Sequence, residues 1–170
     1  MAIVLIGCGD DNDEKELLPL KIAKIKYSGN ELRTDGYYYS TPRQSGTISI
    51  AVFYKDGVCL HSLAEPTSQD TFYFIENEIL GDKALISRYW NTPDQIGVFQ
   101  IDDKSLQFEK WNNDYHQISS LSFFCDILND TTFVQTKWVN NSSRMTYPER
   151  LTYHFKQFSP KPDSTNKFIK

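Results

Sequence analysis

The chain has 170 residues, 39% of them hydrophobic, and a formal net charge of −4. This length is typical of one domain with a single core, and no apolar run approaches the roughly 20 residues that span a bilayer. Nucleic acid is not an expected partner, because phosphate binding needs clustered Lys and Arg and no basic patch is visible. The ten Tyr and eleven Phe favour strands over helices.

The N-terminus combines a short apolar stretch, Leu5-Ile6-Gly7-Cys8, with an acidic run at residues 10–16. An apolar stretch that ends on a small residue and a cysteine resembles the lipobox of bacterial lipoproteins. The acidic run resembles the export signal of Bacteroidetes-type surface lipoproteins. The resemblance implies that Cys8 carries acyl chains such as palmitate and that residues 1–7 are the remnant of a removed signal peptide. It also implies a lipid-anchored protein, exposed on the surface of the bacterial outer membrane.

Met1–Gly7 has no basic residue and is shorter than the apolar core of a complete signal peptide. We therefore expect either a start further upstream or a trimmed chain. The alternative is that Ile3–Ile6 form an ordinary first strand. Residues 8–20 are predicted to be an acidic flexible tether, because a charged run with few apolar residues does not pack.

Residues 21–159 are predicted to form a single domain of short strands. Ile22–Tyr27 and Leu32–Ser40 are the first two candidates. The clearest hairpin joins Thr47–Tyr54 to Val58–Leu63 through Lys55-Asp56-Gly57, since Asp-Gly between alternating runs is a strong hairpin signal. The first strand of this hairpin places Ile48, Ile50, Val52 and Tyr54 on one face.

The pattern changes over Gln69–Asn91, where apolar residues recur at helical rather than strand spacing. Phe72, Ile75 and Ile79 follow this spacing. We predict one or two short helices, interrupted near Gly81-Asp82, that cap one end of the sheet or cover its open side.

Two further hairpins and a last strand follow the helical insert. Gly97–Ile101 and Ser105–Trp111 turn through Asp102-Asp103-Lys104, with Phe99 and Ile101 on the same face as Leu106 and Phe108. Ile118–Leu128 and Thr131–Val139 form a hairpin that turns through Asn129-Asp130.

The last predicted strand, Arg150–Phe158, places Leu151, Tyr153 and Phe155 on its inner face. It ends before Pro160 and Pro162, which begin a polar C-terminal tail at residues 160–170.

About eight antiparallel strands fit either an up-and-down barrel or a two-sheet sandwich. Consecutive hairpins favour the barrel. Several segments are similar to the lipocalin-like barrel domains of Bacteroidetes-type lipoproteins: Asp35-Gly36-Tyr37, 53–57, 97–101, 127–133 and 153–158. We therefore predict a mainly all-β fold, an antiparallel lipocalin-like β-barrel of about eight strands with a short helical insert around residues 69–91.

The chain carries no recognisable catalytic or metal-binding motif. Its histidines, His61, His116 and His154, lack the spacing of zinc ligands, and no nucleophile elbow or phosphate-binding glycine loop is present. Asp102-Asp103 is explained by a hairpin turn. We predict a protein that is not an enzyme and has no cofactor. Cys59 and Cys125 either pair as a disulfide or are two separate buried side chains.

Three tryptophans are the candidate ligand contacts: Trp90, Trp111 and Trp138. Aromatic residues at strand ends can line the mouth of a barrel, although each tryptophan can equally fill the core. The predicted function is a non-enzymatic cell-envelope lipoprotein that binds a small apolar ligand or a glycan in its barrel. The alternative is a surface-exposed interaction protein, an accessory of an outer-membrane complex, with a filled barrel core.

Two Asp-Ser/Thr segments resemble the O-glycosylation sequence of Bacteroidetes-type exported proteins. They lie at Asp130-Thr131-Thr132 and Asp163-Ser164-Thr165. The resemblance implies Thr131 and Ser164 as acceptors. Ser164 is expected to be the more accessible, since it lies in the tail. The alternative is that both are ordinary turn and tail residues.

Overall fold

The computed structural model describes residues 17–66, 70–113 and 118–170. Eight strands form one closed antiparallel barrel, in which each strand pairs with the next and the last pairs with the first. The barrel prediction is therefore confirmed over the sandwich. The strands are β1 (Gly36–Ser40), β2 (Ile48–Phe53), β3 (Val58–Ala64), β4 (Ile96–Asp102), β5 (Ser105–Asn113), β6 (Ile118–Asn129), β7 (Thr132–Asn140) and β8 (Met145–Gln157).

One end of the barrel, here called the closed end, carries the three predicted hairpin turns. Residues 27–34 cross this end. The Tyr27 amide donates to the Lys55 carbonyl (2.9 Å) and the Arg33 amide donates to the Asp130 carbonyl (3.0 Å). Leu32 is buried in the interior cluster. The segment therefore closes this end with its own backbone and side chains.

The interior next to the closed end is filled with aromatic rings. Phe133 stacks on Tyr153 and Phe108 stacks on Phe123, each with ring centroids 4.5 Å apart. All eight strands contribute to this cluster, through Tyr38, Phe53, Cys59, Phe99, Phe108, Phe123, Phe133 and Tyr153. Offset and edge-to-face ring contacts add to the stability that burial provides. This half of the barrel is therefore a packed core.

The helical insert covers the outer face of β1 to β4. It consists of α1 (Thr71–Tyr73), a π-helix (Phe74–Leu80), α2 (Lys83–Trp90) and a 3-10 turn (Pro93–Gln95). Asp70 and Asp82 cap α1 and α2 through two backbone amides each. The predicted break near Gly81-Asp82 and the covering role are confirmed. No helix in the described ranges is long and apolar enough to cross a membrane.

The predicted side-chain faces are confirmed, and the structure adds which face is inside. The face of Ile48, Ile50, Val52 and Tyr54 points outward and packs under the insert. Phe99 and Ile101 share the barrel interior with Leu106 and Phe108. Leu151 and Tyr153 belong to the interior cluster, and Phe155 packs against it.

The first and last predicted strands differ from the structure. Ile22–Tyr27 alternates apolar and polar residues but forms no strand. Its backbone groups bond largely to side chains and not to the backbone of a neighbouring strand. The Ile22 amide donates to the Glu109 carboxylate and the Ala23 carbonyl accepts from Gln100. At the other end, β8 begins at Met145 and not at Arg150. Pro148 is accommodated there beside a register shift in β7.

Candidate ligand-binding site

The interior of the barrel changes from aromatic to polar toward the end opposite the closed end. We call this the polar end. It is bordered by the β1–β2 and β7–β8 connections. The polar-end site consists of Arg43 from the β1–β2 connection together with Ser49, His61, Lys110, Gln135, Trp138, Tyr147, Glu149 and Tyr153 from the strands. These residues are far apart in sequence and are brought together only by barrel closure.

A continuous chain of hydrogen bonds connects the solvent edge of the site to its floor. At the edge, Arg43 Nε donates to Glu149 Oε1 (2.9 Å), and both side chains are 26% exposed. Gln135 Nε2 donates to the other carboxylate oxygen of Glu149 (2.8 Å). Tyr153 Oη then donates to Gln135 Oε1 (3.3 Å). The Glu149 carboxylate thus accepts from two side chains and holds the network together.

His61 lies at the floor of the site, buried at 3% exposure. Its Nε2 is 3.4 Å from Tyr153 Oη. Because the Tyr153 proton is already donated to Gln135, His61 Nε2 has to be the donor in this contact, which leaves Nδ1 as an acceptor. That Nδ1 has no hydrogen-bond partner among the described residues. Burial holds the pKa of His61 well below its usual value, so the ring is neutral at pH 7.

Lys110 brings a second cation into the site from β5. His61 lies one residue beyond the last β3–β4 pair, Leu60↔Ile96, and Lys110 Nζ donates to the His61 carbonyl (3.2 Å). Burial lowers the pKa of this lysine to about 8. Among the described residues, the site thus brings together two cations, Arg43 and Lys110, and the carboxylate of Glu149, while Asp94 of the 3-10 turn attracts Lys110.

Trp138 and Tyr147 provide the aromatic component of the site. Their rings stack with centroids 4.0 Å apart and an interplanar angle of 15°. Trp138 pairs with the inward-facing Phe123 across the β6–β7 ladder and packs against the interior cluster. Both rings are partly exposed. The arrangement joins a flat apolar platform to fixed donors and acceptors, which is the composition of a small-molecule site with defined specificity.

The other two tryptophans lie on the outer surface of the barrel. Trp90 ends α2 and packs edge-to-face on Tyr54. Trp111 donates from Nε1 to the Leu18 carbonyl (2.8 Å), and its ring lies 6.2 Å from that of Phe168 in the tail. Of the three sequence candidates, Trp138 is the one that the structure brings to the polar end.

The cysteines, His116 and the two predicted glycosylation sites are the remaining candidates from the sequence. Cys8 and His116 lie outside the described residues. Cys59 and Cys125 are free and buried, in agreement with the alternative of two separate side chains.

Thr131 and Ser164, the two predicted glycosylation sites, are both half-buried, and the hydroxyl of each makes a hydrogen bond. Thr131 bonds to Asn129 and Ser164 bonds to Asp56, both at 2.8 Å. Glycosylation of either residue stays a prediction.

The charged residues of the polar-end site were missed from the sequence. Arg43 and Glu149 are 106 residues apart, so no local spacing connects them. One signal was present for Lys110. Phe99, Ile101, Leu106 and Phe108 were already assigned to one face, and Lys110 continues that inward row two positions after Phe108.

Comparison of this chain with protein-family models, with curated proteins and with solved structures found no match. The polar-end site therefore has to be interpreted from its own residues and geometry. Among the described residues, no group of His, Cys, Asp and Glu has an arrangement that would hold a metal ion.

Proposed function

We propose that this chain is a non-enzymatic binding protein that holds a small glycan at the polar end of its barrel. One observation carries the proposal. A stacked aromatic pair, Trp138 and Tyr147, stands at the same end of the barrel as a fixed network of ionic and amide groups. A sugar ring offers a flat C–H face for such a platform and a rim of hydroxyls for such a network.

The two halves of the barrel interior support a polar ligand over an apolar one. The closed half is occupied by its own aromatic rings, so an apolar ligand would have to displace a packed core. At the polar end an apolar ligand would strip water from the partly exposed Arg43 and Glu149 side chains without replacing the lost hydrogen bonds, which is costly. A hydroxyl-rich ligand avoids that cost.

The test is binding of the full chain to an array of neutral and acidic oligosaccharides, followed by calorimetric titration of the best sugar. Trp138→Ala and Glu149→Gln should each weaken that binding at least tenfold. Trp111→Phe is the matched control, because Trp111 lies on the outer surface, and it should leave the affinity unchanged. Equal affinities in all three variants, or no sugar bound at all, would overturn the proposal.

We also propose that the protein is a lipoprotein of the bacterial outer membrane, anchored through Cys8. The support is the Leu5-Ile6-Gly7-Cys8 stretch and the acidic run after it. Mass spectrometry of the protein from native membranes should find acyl-modified Cys8 as the N-terminal residue. An intact Met1 in that material would contradict the anchor. Stable co-purification with another envelope protein, without any bound sugar, would favour the accessory-protein alternative.

A further inference from the structure

A cleft lies on the outside of the barrel, between the helical insert and the C-terminal tail. Its volume is about 960 Å³, within the usual range for small-molecule sites. Six apolar or proline side chains line it: Leu80, Ile86, Trp90, Phe158, Pro160 and Pro162. We call it the insert–tail cleft. It shares no residue with the polar-end site.

The lining charges of the insert–tail cleft are unequal. Three lysines face it, Lys83, Lys161 and Lys167, against the carboxylates of Glu76 and Asp163. Glu76 is already neutralised, since its Oε1 accepts from Lys156 Nζ (2.5 Å) and from Tyr37 Oη (3.1 Å). An apolar cleft with excess positive charge at its wall and rim is complementary to an apolar molecule that ends in an anion.

Lys161 is the most firmly held of the three lysines. Its ammonium donates to the Thr34 and Phe53 carbonyls and lies 4.2 Å from the centre of the Tyr54 ring. Two of its three N–H groups are thereby used, and no further hydrogen bond of this ammonium is found among the described residues. Burial lowers its pKa to about 8, with Asp35 and Asp56 opposing the shift and Lys55 adding to it. The ammonium is therefore charged at pH 7.

We propose that the insert–tail cleft binds a single-chain amphiphile with an anionic head group. The alkyl chain lies along Leu80, Ile86 and Phe158, and the head group binds the ammonium of Lys161 with Lys83 and Lys167 beside it. The chemistry is shared by long-chain carboxylates and alkyl phosphates. This site is independent of the proposed glycan site.

The head group is tested with four amphiphiles of equal chain length, each titrated below its micelle concentration. Dodecanoate should bind at least tenfold more tightly than methyl dodecanoate, and dodecyltrimethylammonium should bind no better than the ester. Dodecyl phosphate that binds as well as dodecanoate supports an anionic head of either kind. Dodecyl phosphate that fails to bind restricts the class to carboxylates. Equal affinity for the ester and the acid would overturn the proposal.

The location is tested with variants and with tryptophan fluorescence. Dodecanoate should change the emission of the native chain and of Trp138→Phe, and the change should be lost in Trp90→Phe. Lys161→Met should weaken dodecanoate binding at least tenfold. If that variant does not fold, the double variant Lys83→Gln/Lys167→Gln, which removes two exposed ammoniums, should weaken binding at least threefold.

Ser87→Trp provides a second check, because Ser87 lines the insert–tail cleft from an exposed helix position and a bulky ring there fills it. Binding of dodecanoate should be lost in Ser87→Trp and unchanged in Lys104→Gln, an exposed lysine of the β4–β5 turn. Undiminished binding in Ser87→Trp would show that the amphiphile lies elsewhere and would overturn the proposal. Glycan binding, measured on Ser87→Trp and Lys104→Gln, should not change.

Discussion

The carboxylate of Glu109 in β5 accepts the backbone N–H of Lys21 at 2.8 Å, and the same oxygen accepts that of Ile22 at 3.0 Å. The other oxygen accepts the Ser120 hydroxyl and the Asn141 amide. Glu109 has 0% exposure. A buried carboxylate with four donors is fully satisfied, so this residue fastens the N-terminal segment to the outer face of the barrel.

Replacing Glu109 with Gln should destabilise the fold by about 1–3 kcal/mol. The substitution removes the negative charge, and the new NH2 group would face N–H or O–H donors that now bond to a carboxylate oxygen. Urea unfolding measures the free energy, and hydrogen exchange should show faster exchange of the Lys21 and Ile22 amides. Asp102→Asn, at an exposed turn position, is the control and should be neutral. Unchanged exchange at Lys21 in Glu109→Gln would contradict the fastening role.

Gly57→Val should destabilise the closed end for two separable reasons. Gly57 has φ of +90°, which costs a β-branched residue about 1–2 kcal/mol, and a Cβ there would lie 2.3 Å from the Ile25 carbonyl oxygen. Gly46→Val is the matched control, since Gly46 also has positive φ, +83°, but open space around it. Thermal unfolding should show the larger loss for Gly57→Val. Equal losses would mean that the Ile25 segment moves aside without cost.

The pKa of Lys110, lowered to about 8 from an ordinary value near 10.5, makes its effect on stability depend on pH. Between these values the unfolded chain binds more protons than the folded chain, so the stability contributed at this position rises with pH. At pH 7, Lys110→Met should have a higher free energy of unfolding than the native chain. This difference in the free energy of unfolding should shrink by about 1–2 kcal/mol by pH 9.5. Comparing the two free energies of unfolding cancels other titrating groups. Lys104→Met should show no such pH dependence.

Cys59 and Cys125 should be unreactive in the folded protein, because burial raises the pKa of both thiols and shields them. In a Cys8→Ser background, a thiol reagent should modify neither cysteine under native conditions. It should modify both in about 6 M guanidinium, a concentration that unfolds ordinary small domains. No reactive thiol after unfolding would show that the pair had been oxidised.

The fold was predictable from the sequence wherever the signal was local. Asp56-Gly57 and Asp102-Asp103-Lys104 set turns between alternating runs, and Gly57 and Asp103 do take positive φ. Ile22–Tyr27 shows the limit of such patterns. Its alternation is real, but the segment lies against the side chains of Glu109 and Gln100 instead of a neighbouring strand.

The candidate site was less predictable because its contacts are long-range. Trp138 was a candidate from the sequence, because the aromatic character of a side chain is visible without its partners. Arg43, Gln135 and Glu149 acquire their roles only when β7 and β8 bring them to the β1–β2 connection. In the sequence each of them resembles an ordinary surface residue.

The pairing of β1 with β8 also determines when this protein can fold. As the chain emerges from the ribosome, β1 to β7 become available in order, but β1 and β7 keep exposed backbone edges until β8 fills the gap between them. Such edges favour pairing with other chains, and closure across the whole length of the domain is slow. The barrel therefore closes late, after residue 157 is free, and the growing chain remains open until then.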